Sequence, residues 1–211
     1  MKKTTYHRGN VREDLIKAAE RVLQDEGVAA LSVRRVAREV GVVPSAVYNH
    51  FENREALLTA VAADGYLQLG LLGTRMQSSR AQSEQILRQL GRSYLRFAAK
   101  NPNLYRLMFS AEVVAYRNNP EFERVSDSSF GRLTDWWYGA GHFDPKESAV
   151  EYPYAVSVWA ILHGAALQMI DGLVAVDARK NASIDRLADT VTGVLIEGVR
   201  QSLPKTPPKN T

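Results

Sequence analysis

Apolar residues recur along this chain with a period close to 3.6, and no stretch shows the every-second-residue alternation of a strand. Leu15, Ala18, Ala19, Val22 and Leu23 share one face of a first helix, with Asn10 as a candidate cap and Gly27 at its end. A second, shorter stripe is formed by Val33, Val36, Ala37 and Val40, with Arg34, Arg35 and Arg38 pointing the other way. Gly41 follows, where a positive φ ends a helix at little cost. Pro44 then stands where a third helix begins, because the N–H it lacks has no partner at that position. Ala46, Val47 and Phe51 form the apolar side of this segment and leave Ser45, Tyr48, Asn49 and His50 on more exposed sides. Two short helices around a tight Gly turn describe a helix-turn-helix whose second helix is slim enough for a major groove. The same pattern fits an ordinary helical hairpin, so these residues alone leave both readings open.

Helical spacing continues through the rest of the chain. Asn53 is a candidate cap for a long helix that Arg54 opens and that Leu57, Leu58, Val61, Ala62, Tyr66, Leu69 and Leu72 carry forward. Ile86, Leu87, Leu90, Tyr94, Leu95 and Phe97 mark the next helix, which Asn101-Pro102 breaks. A short helix follows through Leu104, Tyr105, Leu107, Met108 and Phe109, then one from about Glu121 with Phe122, Val125, Phe130, Leu133, Trp136 and Trp137. The segment from Tyr152 to Leu173 is apolar on most sides, so it needs cover on more than one; the core supplies one side, and a second subunit is the simplest cover for the other. A last helix, Ile184 to Leu203, keeps Leu187, Val191, Val194, Leu195 and Val199 on a stripe. The tail 204–211 is too polar and Pro-rich to pack. The expected organisation is an arm and helix-turn-helix over 1–53, a larger helical domain over 54–203 and a disordered tail over 204–211, with about nine helices in all.

The flanking sequence narrows the choice. Ala18-Ala19-Glu20-Arg21-Val22-Leu23-Gln24-Asp25-Glu26-Gly27 stands where a family pattern reads A-x-x-L-F-x-x-x-G, and Ser32 to Val43 stands for T-x-x-x-I-A-x-x-A-G-V-S. Val47-Tyr48-Asn49-His50-Phe51-Glu52-Asn53-Arg54-Glu55-Ala56-Leu57 matches L-Y-x-H-F-x-x-K-E-x-L. The chain in this region resembles the N-terminal domain of the TetR/AcrR family of transcription regulators. Two departures stand out: Val43 replaces a Ser whose hydroxyl would cap the third helix, and Arg54 replaces a Lys, which changes the geometry of a phosphate contact. Further on, Tyr94 to Phe109 resembles the Y-x-x-F-A-x-x-N-P-x-L-Y-x-L-M-F stretch of TetR-like C-terminal domains. Trp159-Ala160-Ile161-Leu162-His163-Gly164 is similar to the W-x-x-x-H-G signature of the WHG-type subgroup.

The resemblance implies an all-α protein: a three-helix DNA-binding domain joined to a helical ligand-binding and dimerisation domain whose last two helices pair with a second copy. It implies a ligand-responsive repressor that binds a near-palindromic operator as a homodimer and that a small effector releases; the apolar bias of the candidate pocket residues suggests a hydrophobic or aromatic one. Tyr48 and Arg54, and more weakly His50, are assigned to the phosphate backbone, with Arg34 also facing DNA. Ser45 and Asn49 are candidates for base edges, and Pro44 for a thymine methyl. Burial of Tyr48 and His50 among the three small helices is the competing reading. Effector candidates are Phe97, Tyr105, Met108, Phe109, Phe130, Trp137, Trp159 and His163, a set that an aromatic-rich core would equally produce. Leu167, Leu187, Val191, Val194, Leu195 and Gly198 are the expected dimer contacts.

Composition agrees. The 211 residues, 45% hydrophobic, suffice for one larger domain or two smaller ones, and a net charge of +4 with pI near 9.3 suits a polyanionic partner. Lys2, Lys3, Arg8 and Arg12 make the start of the chain basic, fit either for a DNA-tracking arm or for a solvated terminus. There is no cysteine, hence neither disulfide nor thiolate chemistry. No early apolar run resembles a signal peptide, and the apolar stretch 155–176 is interrupted by His163, Gln168 and Asp171, so a cytoplasmic protein without a membrane partner is expected. His7, His50, His142 and His163 form no metal-spacing motif, and no phosphate loop or nucleophile elbow occurs; no cofactor or metal is expected. A ligand-independent DNA-binding regulator or an activator is the alternative, and a helical enzyme the distant one.

Overall fold

The structure is a computed structural model and describes residues 11–73, 83–114, 120–138, 144, 146 and 148–202. Lys2, Lys3, Arg8, Asn10 and the tail 204–211 lie outside them, as does the side chain of Trp137. The described residues form ten α-helices and no strand. They are α1 (Val11–Glu26), α2 (Val33–Val40), α3 (Pro44–Tyr48), α4 (Arg54–Gly73), α5 (Ser83–Lys100), α6 (Pro102–Met108), α7 (Ala111–Val114), α8 (Pro120–Tyr138), α9 (Pro153–Ile170) and α10 (Asn181–Ser202). Single 3-10 turns occupy Val28–Ala30 and Ala149–Glu151. The helix beyond the expected nine or so is α7, one turn too short to leave a periodic pattern.

Two compact units divide the chain, one from the described residues of 1–68 and 101–126, the other from those of 69–100 and 127–211. In the first, Leu15, Leu23, Leu31, Leu57 and Leu58 are fully buried, each contributing about 1.5–3 kcal/mol of hydrophobic stabilisation. Residues 101–126 return to this unit after an excursion through the other. Asn103 Nδ2 donates to the Leu23 and Gln24 carbonyls at the end of α1, 3.0 and 3.3 Å away, and the Tyr66 hydroxyl donates to Met108 O at 3.2 Å. The unit is thus larger than the segment 1–53 that carries the helix-turn-helix.

Between α1 and α4 sits an acidic pair. Gln68 Nε2 donates to Glu20 Oε1 at 3.2 Å and to Asp64 Oδ2 at 2.7 Å. Burial, then the hydrogen bond to Asp64, pushes Glu20 from the ordinary 4.5 up to about 7. Because the folded state binds this proton more tightly than the unfolded chain, the stabilisation is complete below 4.5 and lost as pH rises through about 7.

In the second unit α5, α9 and α10 pack against one another. Successive turns of α5 present arginines to α10. Arg92 grips Asp189 through two bonds of 2.8 and 2.7 Å, Arg96 grips Asp185, and Arg88 Nη1 donates to Asp189 O at 3.2 Å. These pairs are largely exposed and of modest energy, but their spacing sets the register of the two helices. Gly91 lets them approach: a Cβ there would stand 2.6 Å from Thr192 Cγ2, and Thr192 is held in place by its hydroxyl bond to Ala188 O at 2.7 Å. By length and composition, α9 is the one described helix apolar enough to cross a membrane, in contrast to the interrupted stretch read from sequence. Its buried face of Ala155, Val158, Leu162, Ala165, Ala166 and Met169 belongs to the core of this unit.

Two outcomes follow from these contacts. Gly91→Ala lowers unfolding free energy by about 1–3 kcal/mol in urea titration, because Thr192 has no room to yield. Wild-type protein melts at a lower temperature at pH 8 than at pH 5, and Glu20→Gln, which carries no charge to desolvate, narrows that gap; an unchanged gap would exclude Glu20 as its source.

Candidate nucleic-acid interface

The candidate interface is built on α2 and α3. Ser32 caps α2, its Oγ accepting from Arg35 N at 3.2 Å, and Gly41 ends it at φ 81°, with Gly41 N and Val42 N both donating to Ala37 O at 2.9 Å. The turn delivers the chain to α3, five residues long with Pro44 in its first turn and Val43 in the cap position. Val43 makes no side-chain cap bond, as its substitution for Ser implies. Val47 at 0% exposure and Phe51 at 3% hold this short helix against Val33, Val36 and Ala37, the buried face of α2 and its neighbours. Burying them leaves the other side in solvent: Pro44, Ser45, Tyr48, Asn49 and His50 are all exposed, Tyr48 to 56%. Neither Tyr48 nor His50 is entombed among the small helices.

The arginines of the region separate into two kinds. Arg35 is committed within the unit, donating to Glu26 Oε1 at 3.1 and 2.7 Å and to Glu39 Oε2 at 2.8 Å, bonds that raise its pKa further and lower that of Glu39. Arg34 and Arg38 remain exposed. Arg54 is half-buried: Nε donates to Leu31 O at 2.7 Å and Nη2 to Val28 O at 3.0 Å, while Nη1 lies 3.7 Å from Glu112 of α7. It ties the start of α4 to the turn before α2, a role the sequence did not reveal because both acceptors are carbonyls. Asn53 Oδ1 accepts from Ala56 N at 2.7 Å and caps α4.

The effector candidates fall into two groups. In the first unit Tyr105 and Met108 are buried and Phe109 is half-buried, with Tyr105 and Tyr66 both against the Phe109 ring at 5.0 and 5.5 Å. In the second, Phe97 is buried, Phe130 lies 6.5 Å from Trp159, and Trp159 stacks on His163 at 5.5 Å. Burial lowers the pKa of His163 and favours its neutral form. Of the dimer candidates, Val194 is 70% exposed and Gly198 exposed, Leu167, Leu187 and Val191 are half-buried, and Leu195 is buried. Among the described residues no cluster of three or more His, Cys, Asp or Glu is placed to hold a metal.

Residues 15–61 match the family of bacterial regulatory proteins named for tetR, and residues 87–191 match the tetracyclin repressor-like C-terminal domain. The chain belongs to the TetR family. The match assigns these residues to a family of bacterial regulatory proteins rather than of enzymes. An HTH-type transcriptional regulator of Mycobacterium tuberculosis is 29% identical over 117 residues, 54% of this TetR-family chain and 50% of that protein. The chain therefore spans about half the length of the curated relatives it matches. A Rhodococcus sp. RHA1 protein of unknown function shares the fold with TM-score 0.68 and 26% identity over 93% of this chain and 98% of that one. BioQ, solved with its double-stranded DNA operator, does so with TM-score 0.55 and 21% identity over 89% of this chain and 96% of that one.

Arg54→Ala lowers the melting temperature, with a loss of about 1–3 kcal/mol, because two carbonyls of the 28–31 turn lose a charged donor. Arg54→Lys recovers only part of it, since an ammonium does not reproduce the fork.

Proposed function

We propose that this TetR-family regulator is a ligand-responsive repressor, acting in the cytoplasm, that binds a near-palindromic operator as a homodimer. The observation that carries the DNA contact is the exposed side of α3, with Pro44, Ser45, Tyr48, Asn49 and His50 around a helix whose back is buried. This reading gives Asn49 and Ser45 the base edges, Pro44 a thymine methyl, and Tyr48, Arg34 and His50 the phosphates. Arg54 reaches a phosphate only with the part of its guanidinium that faces Glu112 and solvent, and its main service is to hold the turn.

One five-residue helix reads few base pairs. A two-fold dimer sets two such helices one helical turn apart, about 34–36 Å, and reads both half-sites. The solvent side of α9 and α10 supports pairing: Trp159 is 36% and Val194 70% exposed, and Gly198 would allow close approach. Leu167, Leu187 and Val191 flank that side, and Leu195 backs it from the core. The effector is a small hydrophobic or aromatic compound, a choice supported by Phe130 against Trp159 and Trp159 stacked on a His163 whose pKa burial lowers. Release requires that the effector favour a dimer with the wrong helix separation by a few kcal/mol, roughly what a tenfold to thousandfold change in occupancy needs.

A gel shift on duplex DNA from upstream of the protein's own coding region, repeated across salt concentrations, tests the reading. Arg34→Ala reduces the slope of log affinity against log salt by about 0.9. Tyr48→Ala weakens every sequence alike, whereas Asn49→Ala relaxes preference at one base position by about 1–3 kcal/mol. Val194→Glu yields monomers in sedimentation and abolishes the shift. DNA affinity without sequence preference, or a dimer indifferent to Val194→Glu, would refute the corresponding part.

A further inference from the structure

Val43, in the turn between α2 and α3, serves the fold poorly in two ways. Among the described residues of the first unit it is the most exposed large hydrophobic side chain, at 64%. It also holds the cap position of α3, where Ser, Thr, Asp and Asn are preferred because a side-chain oxygen there accepts a backbone N–H. Ser32 does this for α2, taking Arg35 N at 3.2 Å. The backbone at Val43, φ −77° and ψ 148°, lies in the same extended region as that of Ser32, so a hydroxyl at this position would find the same use. Val43 instead leaves α3 without a side-chain cap and keeps an isopropyl group in water. Positions that break a local rule without a gain in folding are characteristically sites of function.

Its exposed neighbours are Pro44, Ser45, Tyr48 and Asn49. Ser45, Tyr48 and Asn49 can exchange hydrogen bonds with a duplex, and Val43 cannot. Pressed on a phosphate, its methyl groups would strip water from the oxygens and replace none of the lost bonds, which costs free energy. The polar base edges pose the same difficulty. One group in the major groove suits an isopropyl side chain: the C5-methyl of thymine. A β-branched side chain has few χ1 rotamers to lose on contact, so little entropy opposes the gain. Pro44, given one thymine methyl above, follows Val43 directly, and the two offer adjacent apolar groups.

We infer that Val43 is a specificity-determining residue that reads a thymine methyl at a base pair beside the one met by Pro44. Each operator half-site then carries thymine at that position, and α3 forgoes a cap to reach it. The inference rests on the DNA contacts proposed for α3 and adds a residue to them.

Selection of binding sites from random-sequence duplexes by the full chain, followed by a deoxyuridine scan, tests the assignment. The most enriched duplex is resynthesised with deoxyuridine for each thymidine in turn, which removes the methyl and leaves every hydrogen-bonding group in place. At one thymine of the half-site, wild-type protein binds about fourfold more weakly after replacement, and about fifteenfold more weakly when both half-sites are changed. Val43→Ser binds the two forms of that position within about twofold of each other and keeps its sensitivity at the others. The same variant melts about 2–4 °C higher, because α3 gains a cap. A residue with a structural role alone would instead change affinity for all duplexes together. Val43→Ala shortens the apolar group without adding a hydroxyl, and repeats the loss of discrimination should Val43→Ser misfold. Sequence-selective binding with the same deoxyuridine penalties in the folded variants overturns the role of Val43 and leaves the α3 reading standing. Absence of any enriched sequence overturns that reading and this one with it.

Discussion

A helix of five residues has no stability of its own in water, since forming a first turn orders several residues for a single hydrogen bond. Everything that α3 does therefore depends on two buried side chains, Val47 and Phe51, that press it against α2 and the core of its unit. The turn before it is fixed by Gly41 and by two N–H groups converging on Ala37 O. With the back of the helix committed in this way, Tyr48, Asn49 and His50 have no choice but to face outward. Arg54 completes the support by gathering the carbonyls of Val28 and Leu31. The exposed side of α3 is thus a by-product of how little of the segment the core can use.

The helices themselves were legible because each buries a stripe at 3.6-residue spacing and meets Gly, Asn or Pro at its ends. Leu15, Ala18, Ala19, Val22 and Leu23 on α1 are buried where the spacing placed them, whereas α9, apolar on most sides, did not show in its pattern that the buried face runs through Ala155, Val158, Leu162 and Met169. The single turn α7 was not legible, since four residues show no period. Nor was the return of residues 101–126 to the first unit, because nothing in the pattern of Leu104, Tyr105 and Met108 says which core they enter. Periodicity tells which face is buried and is silent about the partner.

At the interface the difference lies with the arginines. Arg34, Arg35 and Arg38 look alike in sequence, yet Glu26 and Glu39 claim Arg35 and leave its neighbours to solvent. Glu26 closes α1, nine residues earlier, so the claim is a tertiary one. Arg54 resembled a phosphate-binding cation by position, and carbonyls, which every residue has, cannot announce themselves as its acceptors. The aromatic set proposed for an effector illustrates the same limit: Tyr105 and Trp159 are chemically similar, and only the fold distributes them between separate units.

The discontinuity of the first unit bears on how the protein is made. Asn103 grips the end of α1, and Leu104, Tyr105, Met108 and Phe122 are buried in this unit, although its first helices precede them by many tens of residues. A nascent chain on the ribosome consequently exposes α1 to α4 long before their remaining apolar cover has been translated. The unit that carries α2 and α3 matures only after most of α5 to α8 has emerged, so a truncated product presents an incompletely covered head.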